Sequence, residues 1–202
     1  MIQIKGNSVL VKKRVSKQDW LNASLDLLRA GGIEAVRVER LADKLNVAKS
    51  GFYYHFRDRA DLHKALLDHW LQLDGTPFLK ERRFAEASPA EKLAIVAEVV
   101  DQADLSRYDN AIRQWARQDS KVRRVWRKEM NKRLEHIRGL FRALGFEGEQ
   151  LEMRVRTFVA YQVGERELFS ELSAKDRSRL RSLRLKLLVE GQIELSSANG
   201  RR

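Results

Sequence analysis

Apolar residues recur at helical spacing along most of this chain, and the interruptions divide it into segments. Trp20, Leu21, Leu25, Leu27 and Leu28 repeat up to Gly31-Gly32, with Ser16 placed to cap the start, so a first helix is expected over about 17–31. The stretch 36–62 then carries two shorter stripes: Val38, Leu41, Ala42 and Leu45, followed by Phe52 and Phe56 four residues apart on one face. Asn46 lies between them. Asparagine tolerates the left-handed conformation a tight turn needs, and Val47 offers an apolar plug, so the spacing predicts a helix-turn-helix. A fourth helix, from about Arg59 to Leu73, carries Leu62, Ala65, Leu66, His69, Trp70 and Leu73 along one side.

Gly75-Thr76-Pro77 stops that helix, and the polar residues after it place a domain boundary within 74–88. Ser88-Pro89-Ala90-Glu91 combines a serine cap, a proline where its missing N–H costs nothing, and a first-turn glutamate, so a helix should run to about Gln102. Further helices are expected over Tyr108 to Arg117, Ser120 to Ala143, Glu149 to Phe169 and Asp176 to Glu190, the last two as antiparallel neighbours. That pair carries apolar residues on more than one side. Leu151, Val155, Val159, Gln162, Leu180, Leu183 and Leu187 exceed what one packed face needs and are expected at the interface of a homodimer. The domain plan is a basic arm over 1–15, a helix-turn-helix domain over 16–73, a helical domain over 74–195 and a tail over 196–202.

Composition narrows the class. Two prolines, 34% charged residues spread along the chain and 43% apolar residues predict an all-α globular protein rather than a disordered one. The net charge is +12, with 13 basic against 8 acidic residues up to Leu73 and 27 against 20 beyond it, so a polyanion suits both parts. The absence of cysteine removes disulfides and thiolate chemistry. No apolar run approaches a membrane span and no signal-peptide core is present, so the expected location is the cytoplasm. Histidines 55, 63, 69 and 136 are not at metal-binding spacing, and no nucleophile elbow or phosphate-cradling loop occurs. Neither an enzyme nor a cofactor is expected. The basic face of the long helix, Arg123, Arg124, Arg127, Lys128, Lys132 and Arg133, reads as a solvated or salt-bridged surface.

The second helix of the helix-turn-helix, about Ala48 to Phe56, turns Phe52 and Phe56 inward and leaves Lys49, Ser50, Gly51, Tyr53 and Tyr54 outward. Donors and aromatic tips with almost no negative charge suit a groove lined by phosphates and base edges. The run A-x-x-L-x-V-x-K-x-x-x-Y-x-H-F from Ala42 to Phe56, with R-D-R-A-D-L after it, resembles the tetracycline-repressor (TetR) family of bacterial transcription regulators. Asn46 stands where that family usually has glycine.

The resemblance implies an N-terminal three-helix helix-turn-helix DNA-binding domain followed by a helical ligand-binding and dimerisation domain. It implies a repressor that binds a palindromic double-stranded DNA operator as a homodimer and is released by a small apolar or aromatic effector. On that pattern Lys49, Ser50, Gly51 and Tyr54 face base edges, and Arg37, Tyr53, His55 and Arg59 hold phosphates. Trp70, Trp115, Trp126, Phe158 and Tyr161 are candidate walls of an effector site. The alternative is a nucleoid-associated or adaptor protein that uses the same DNA reader and devotes its C-terminal domain to a protein partner.

Overall fold

The computed structural model describes residues 15–73, 81–102, 104–169 and 171–191. Residues 1–14 of the expected basic arm, the Gly75-Thr76-Pro77 stop and the tail lie outside the described residues. Helices dominate what is described, and no strand occurs among those residues. The chain divides into two compact units, Met1–Leu66 and Leu67–Arg202, and the division falls inside the fourth helix.

The first unit holds α1 (Lys17–Gly31), a 3-10 turn at Ile33–Ala35, α2 (Val38–Leu45), α3 (Ser50–His55) and the first half of α4 (Arg59–Gln72). Ser16 starts α1 through a reciprocal box: the Asp19 N–H donates to Ser16 Oγ at 3.2 Å and the Ser16 N–H donates to Asp19 Oδ2 at 2.8 Å. Gly32 ends it at φ +69, a conformation that favours glycine. The interior is a knot of rings. Trp20, Phe52 and Phe56 are buried, with ring centroids 5.7 Å apart for Trp20–Phe52 and 5.2 Å for Phe52–Phe56.

The second unit contains the rest of α4, then α5 (Arg82–Glu86), α6 (Pro89–Gln102), a 3-10 turn at Leu105–Tyr108, α7 (Asp109–Gln118), α8 (Ser120–Ala143), α9 (Gly148–Leu168) and α10 (Ala174–Val189). The capping logic holds at α6, where Ser88 and Glu91 exchange bonds of 2.8 and 3.3 Å. Asp119 opens α8 by accepting from the Lys121 and Val122 N–H groups. Ser173 opens α10, which begins two residues before the expected Asp176 because the serine supplies the cap. The core packs Phe84, Leu93, Ala97, Ile137, Phe141, Phe146, Leu151, Val155, Phe158 and Leu188.

Two expectations change here. Leu151 and Val155, read as interface residues, are buried in the chain's own core, because their face of α9 turns towards α6 and α8. The backbone of α10 packs mainly along α6. Long side chains span the distance from α9 to α10 instead: buried Arg154 donates from Nε to Leu188 O at 3.0 Å and bonds Gly191 O.

Candidate nucleic-acid interface

The turn between α2 and α3 is built as the sequence implies. Asn46 adopts φ 54, ψ 49, and the Val47 N–H donates back to Ala42 O at 3.0 Å, closing the end of α2. α3 is shorter than the expected 48–56. Ala48 and Lys49 form an entering turn, and Phe56 leaves the helix at φ −137, with its ring buried beside Phe52.

Burying Phe52 and Phe56 fixes what α3 shows to solvent. Tyr53 is 64% exposed and Tyr54 69%, large values for aromatic side chains, with Lys49 and Ser50 exposed beside them. Gly51 turns another way. A Cβ added there would lie 3.6 Å from the Trp20 ring, an ordinary contact, so its side-chain direction faces α1 rather than the exposed surface.

The cationic residues around α3 have partners within the unit. Lys49 Nζ lies 3.2 Å from Glu39 Oε1 on α2, and the Glu39 carboxyl is held below its usual range first by a backbone hydrogen bond at the start of α2 and then by Lys49. Both side chains are exposed, so the pair is easily exchanged for another anion. Arg37 Nε donates to Glu34 O at 2.9 Å, and Arg59 Nη2 donates to Ile33 O at 3.0 Å. His55 Nε2 lies 3.1 Å from Val15 O, which ties the end of α3 to the chain entering α1.

The candidate effector residues sit in the second unit. Trp70, Trp115 and Phe158 are buried, while Trp126 and Tyr161 are half-buried. The Trp70 indole N–H donates to Asp109 Oδ1 at 3.1 Å, and Arg133 Nη1 donates to Asp109 Oδ2 at 2.7 Å. Burial pushes the Asp109 carboxyl up, against the opposing pull of Arg133 and Trp70. Arg133, expected on a solvated or salt-bridged surface, forms a salt bridge that draws it inward to this carboxylate, with its guanidinium 5.6 Å from the Trp70 ring.

Of the candidate interface residues, Leu183 and Leu187 are exposed, at 51% and 76%, and Leu180, Val159 and Gln162 are half-buried. The reason lies on α10: Arg177, Arg181 and Arg184 share one face at helical spacing and turn inward, which leaves Leu180 half-buried at its border and sends Leu183 and Leu187 outward. Arg181 Nη1 bonds Asp101 Oδ2, and Arg177 Nε lies 3.7 Å from Asp101 Oδ1. Arg184 Nη1 lies 3.9 Å from buried Glu165 Oε2. Sequence reasoning missed this ionic layer. Its one signal was the spacing of the three arginines on a leucine-bearing helix.

Residues 21–66 match the family model for bacterial regulatory proteins of the tetR family. None of the curated proteins matches the chain. Among solved structures, the transcriptional regulator FadR from Bacillus subtilis, in complex with stearoyl-CoA, is similar at a TM-score of 0.63 and 18% identity, over 88% of this chain and 100% of that one. A protein of Rhodococcus sp. named as a TetR-family transcriptional regulator gives 0.64 and 19%, over 86% of this chain and 98% of that one. A TetR-like transcriptional regulator from Rhodococcus sp. RHA1 gives 0.61 and 17%, over 86% and 96%. At these identities the likeness shows the shared all-α fold, an N-terminal helix-turn-helix followed by a helical domain. The family match is confined to residues 21–66, and beyond it the likeness is one of fold.

Proposed function

We propose that this chain, whose residues 21–66 match the tetR-family model, is a tetR-type repressor that binds a palindromic operator as a homodimer and is released by a small effector. The observation that carries the DNA half is the outward face of α3, where Tyr53 and Tyr54 stand exposed beside Lys49 and Ser50 on a helix whose other side is locked into the core. A solvent-exposed aromatic pair is a ready contact surface, and a helix of this width enters the major groove.

Lys49, Ser50 and Tyr54 are the base-facing side chains in this reading, and Gly51 contributes backbone only. Tyr53, His55, Arg37 and Arg59 hold phosphates. Lys49 would exchange Glu39 for a base edge, and Arg37 and Arg59 would reach phosphates beside the carbonyls they now bond.

The exposed leucines of α10 support pairing of two copies, since Leu183 and Leu187 form an apolar stripe that a single chain leaves in water. Gating would use the second unit, with an effector there biasing α4, whose residues run from one unit into the other. A coupling of about 1–3 kcal/mol suffices to change operator occupancy severalfold.

Binding-site selection with the purified chain, followed by titration of variants, tests the reader. Lys49→Ala should relax preference at one operator position at a cost of roughly 1–3 kcal/mol, whereas Tyr53→Phe should weaken all sequences alike. Unchanged preference in Lys49→Ala would remove it from the base-facing set. Each phosphate neutralised should add about 0.9 to the slope of log affinity against log salt.

A further inference from the structure

An ionic layer lies between α6, α9 and α10. Among the described residues it sets the guanidinium groups of Arg177, Arg181 and Arg184 against the carboxylates of Asp101 and Glu165, three positive charges to two negative. Arg181 is bonded to Asp101 and to Ser178, and Arg177 donates to Leu172 O at 3.1 Å while facing Asp101. Arg184 is different. Its Nε, Nη1 and Nη2 are all enclosed, and none makes a hydrogen bond.

What surrounds Arg184 cannot satisfy it. Its guanidinium carbon lies 3.8 Å from the centroid of the Tyr161 ring, which engages the face of the group and leaves its edge donors unused. The nearest carboxylate oxygen, Glu165 Oε2, is 3.9 Å from Nη1, beyond hydrogen-bond range, and Glu165 Oε1 accepts from the Tyr161 hydroxyl at 3.3 Å. The residue is 8% exposed, and burial pushes the guanidinium down from its ordinary range. A buried polar group without partners is rare in folded chains, and a charged one rarer.

We propose that Arg184 is the receptor for the carboxylate of a small organic acid, and that such acids are the effector class of this regulator. The planar fork of a guanidinium matches a carboxylate with two parallel N–H···O bonds. The Tyr161 ring backs the guanidinium and holds it flat for a ligand arriving at its edge. The effector assignment rests on the repressor reading above, while the receptor itself does not.

Calorimetry and thermal denaturation of the full chain test it with sodium octanoate and sodium benzoate against octanamide and benzamide, at equal ionic strength. The carboxylates should bind and raise the melting temperature, and the neutral amides should not. Arg184→Lys keeps the charge and loses the fork, and should weaken carboxylate binding about tenfold or more, while Arg184→Leu should abolish it. Should Arg184→Leu not fold, Arg184→Lys decides.

Equal binding of acids and amides, binding of neither, or unchanged acid binding in Arg184→Lys would overturn the receptor. Operator binding measured in parallel separates the two readings. Failure of the unaltered chain to bind the acids, with its operator binding intact, overturns the receptor alone. Acid binding through Arg184 with no change in operator affinity sustains the receptor and overturns its role as effector site.

Discussion

The two units of this chain place their charge in opposite ways. In the first, Ser24 is the one polar residue buried among the described residues, and its hydroxyl donates to Trp20 O at 2.7 Å. The second buries His69, Asp109, Glu129, Arg154, Glu165, Arg177 and Arg184. An apolar interior with a polar, tyrosine-bearing exterior suits a rigid module that works through its surface. An interior threaded with ions is costly to desolvate and sensitive to whatever binds beside it. The difference teaches that the first unit's function is legible from outside, and the second's from within.

The comparison breaks most sharply when each interior is damaged in its own way. Phe52→Ala removes a fully buried ring that touches Trp20 and Phe56, and should destabilise the first unit by about 3–5 kcal/mol, read by urea denaturation with hydrogen exchange resolved along the chain. Asp109→Ala is the counterpart in the second unit. It removes the acceptor that Arg133 and the Trp70 indole share, leaving Glu129 Oε1 3.4 Å from Arg133 Nε, and should cost about 3 kcal/mol, with protection lost in α7 and α8 before α1 to α3.

Gly51→Ala should do the reverse. The added Cβ meets Trp20 at an ordinary 3.6 Å, so the gain in helix preference should stabilise the first unit by roughly 0.5–1 kcal/mol. If the same variant also loses operator affinity, close approach of the backbone to DNA is the reason for the glycine.

The smallest effect concerns pH. Burial lowers the pKa of His69, so the folded state resists a proton that the unfolded chain accepts near pH 6.5. Stability is therefore fully present above that value and falls as pH drops through it towards the folded pKa. His69→Gln should flatten this slope in part, with His136, also held low by burial, keeping the remainder.

Most helices could be read directly from the sequence, and the reasons are local. Ser88-Pro89-Ala90-Glu91 and the left-handed Asn46 are signals that act within four residues, and the bounds of α8 at Ser120 and Ala143 follow from a cap and an apolar stripe. The outward face of α3 followed from two phenylalanines.

What escaped was orientation in the second unit. Helical spacing tells which residues share a face, but α10 carries both leucines and arginines with long apolar stems around its circumference: Leu188 is buried with Arg177 and Arg184, while Leu183, Leu187 and Arg179 are exposed. Which side turns inward was decided by Asp101 on α6 and Glu165 on α9, nearly eighty and some twenty residues away in sequence. The same distance hid the role of Arg133, which only its bond to Asp109 reveals.

The central claim is that two copies of this chain each present α3 to one face of duplex DNA. Hydroxyl-radical footprinting on a selected operator tests it most directly, and should show two protected patches centred about 10–10.5 base pairs apart, or a multiple of that, on the same face. Both patches should vanish in Tyr54→Ala. A single protected patch, or two that persist in that variant, would contradict the account.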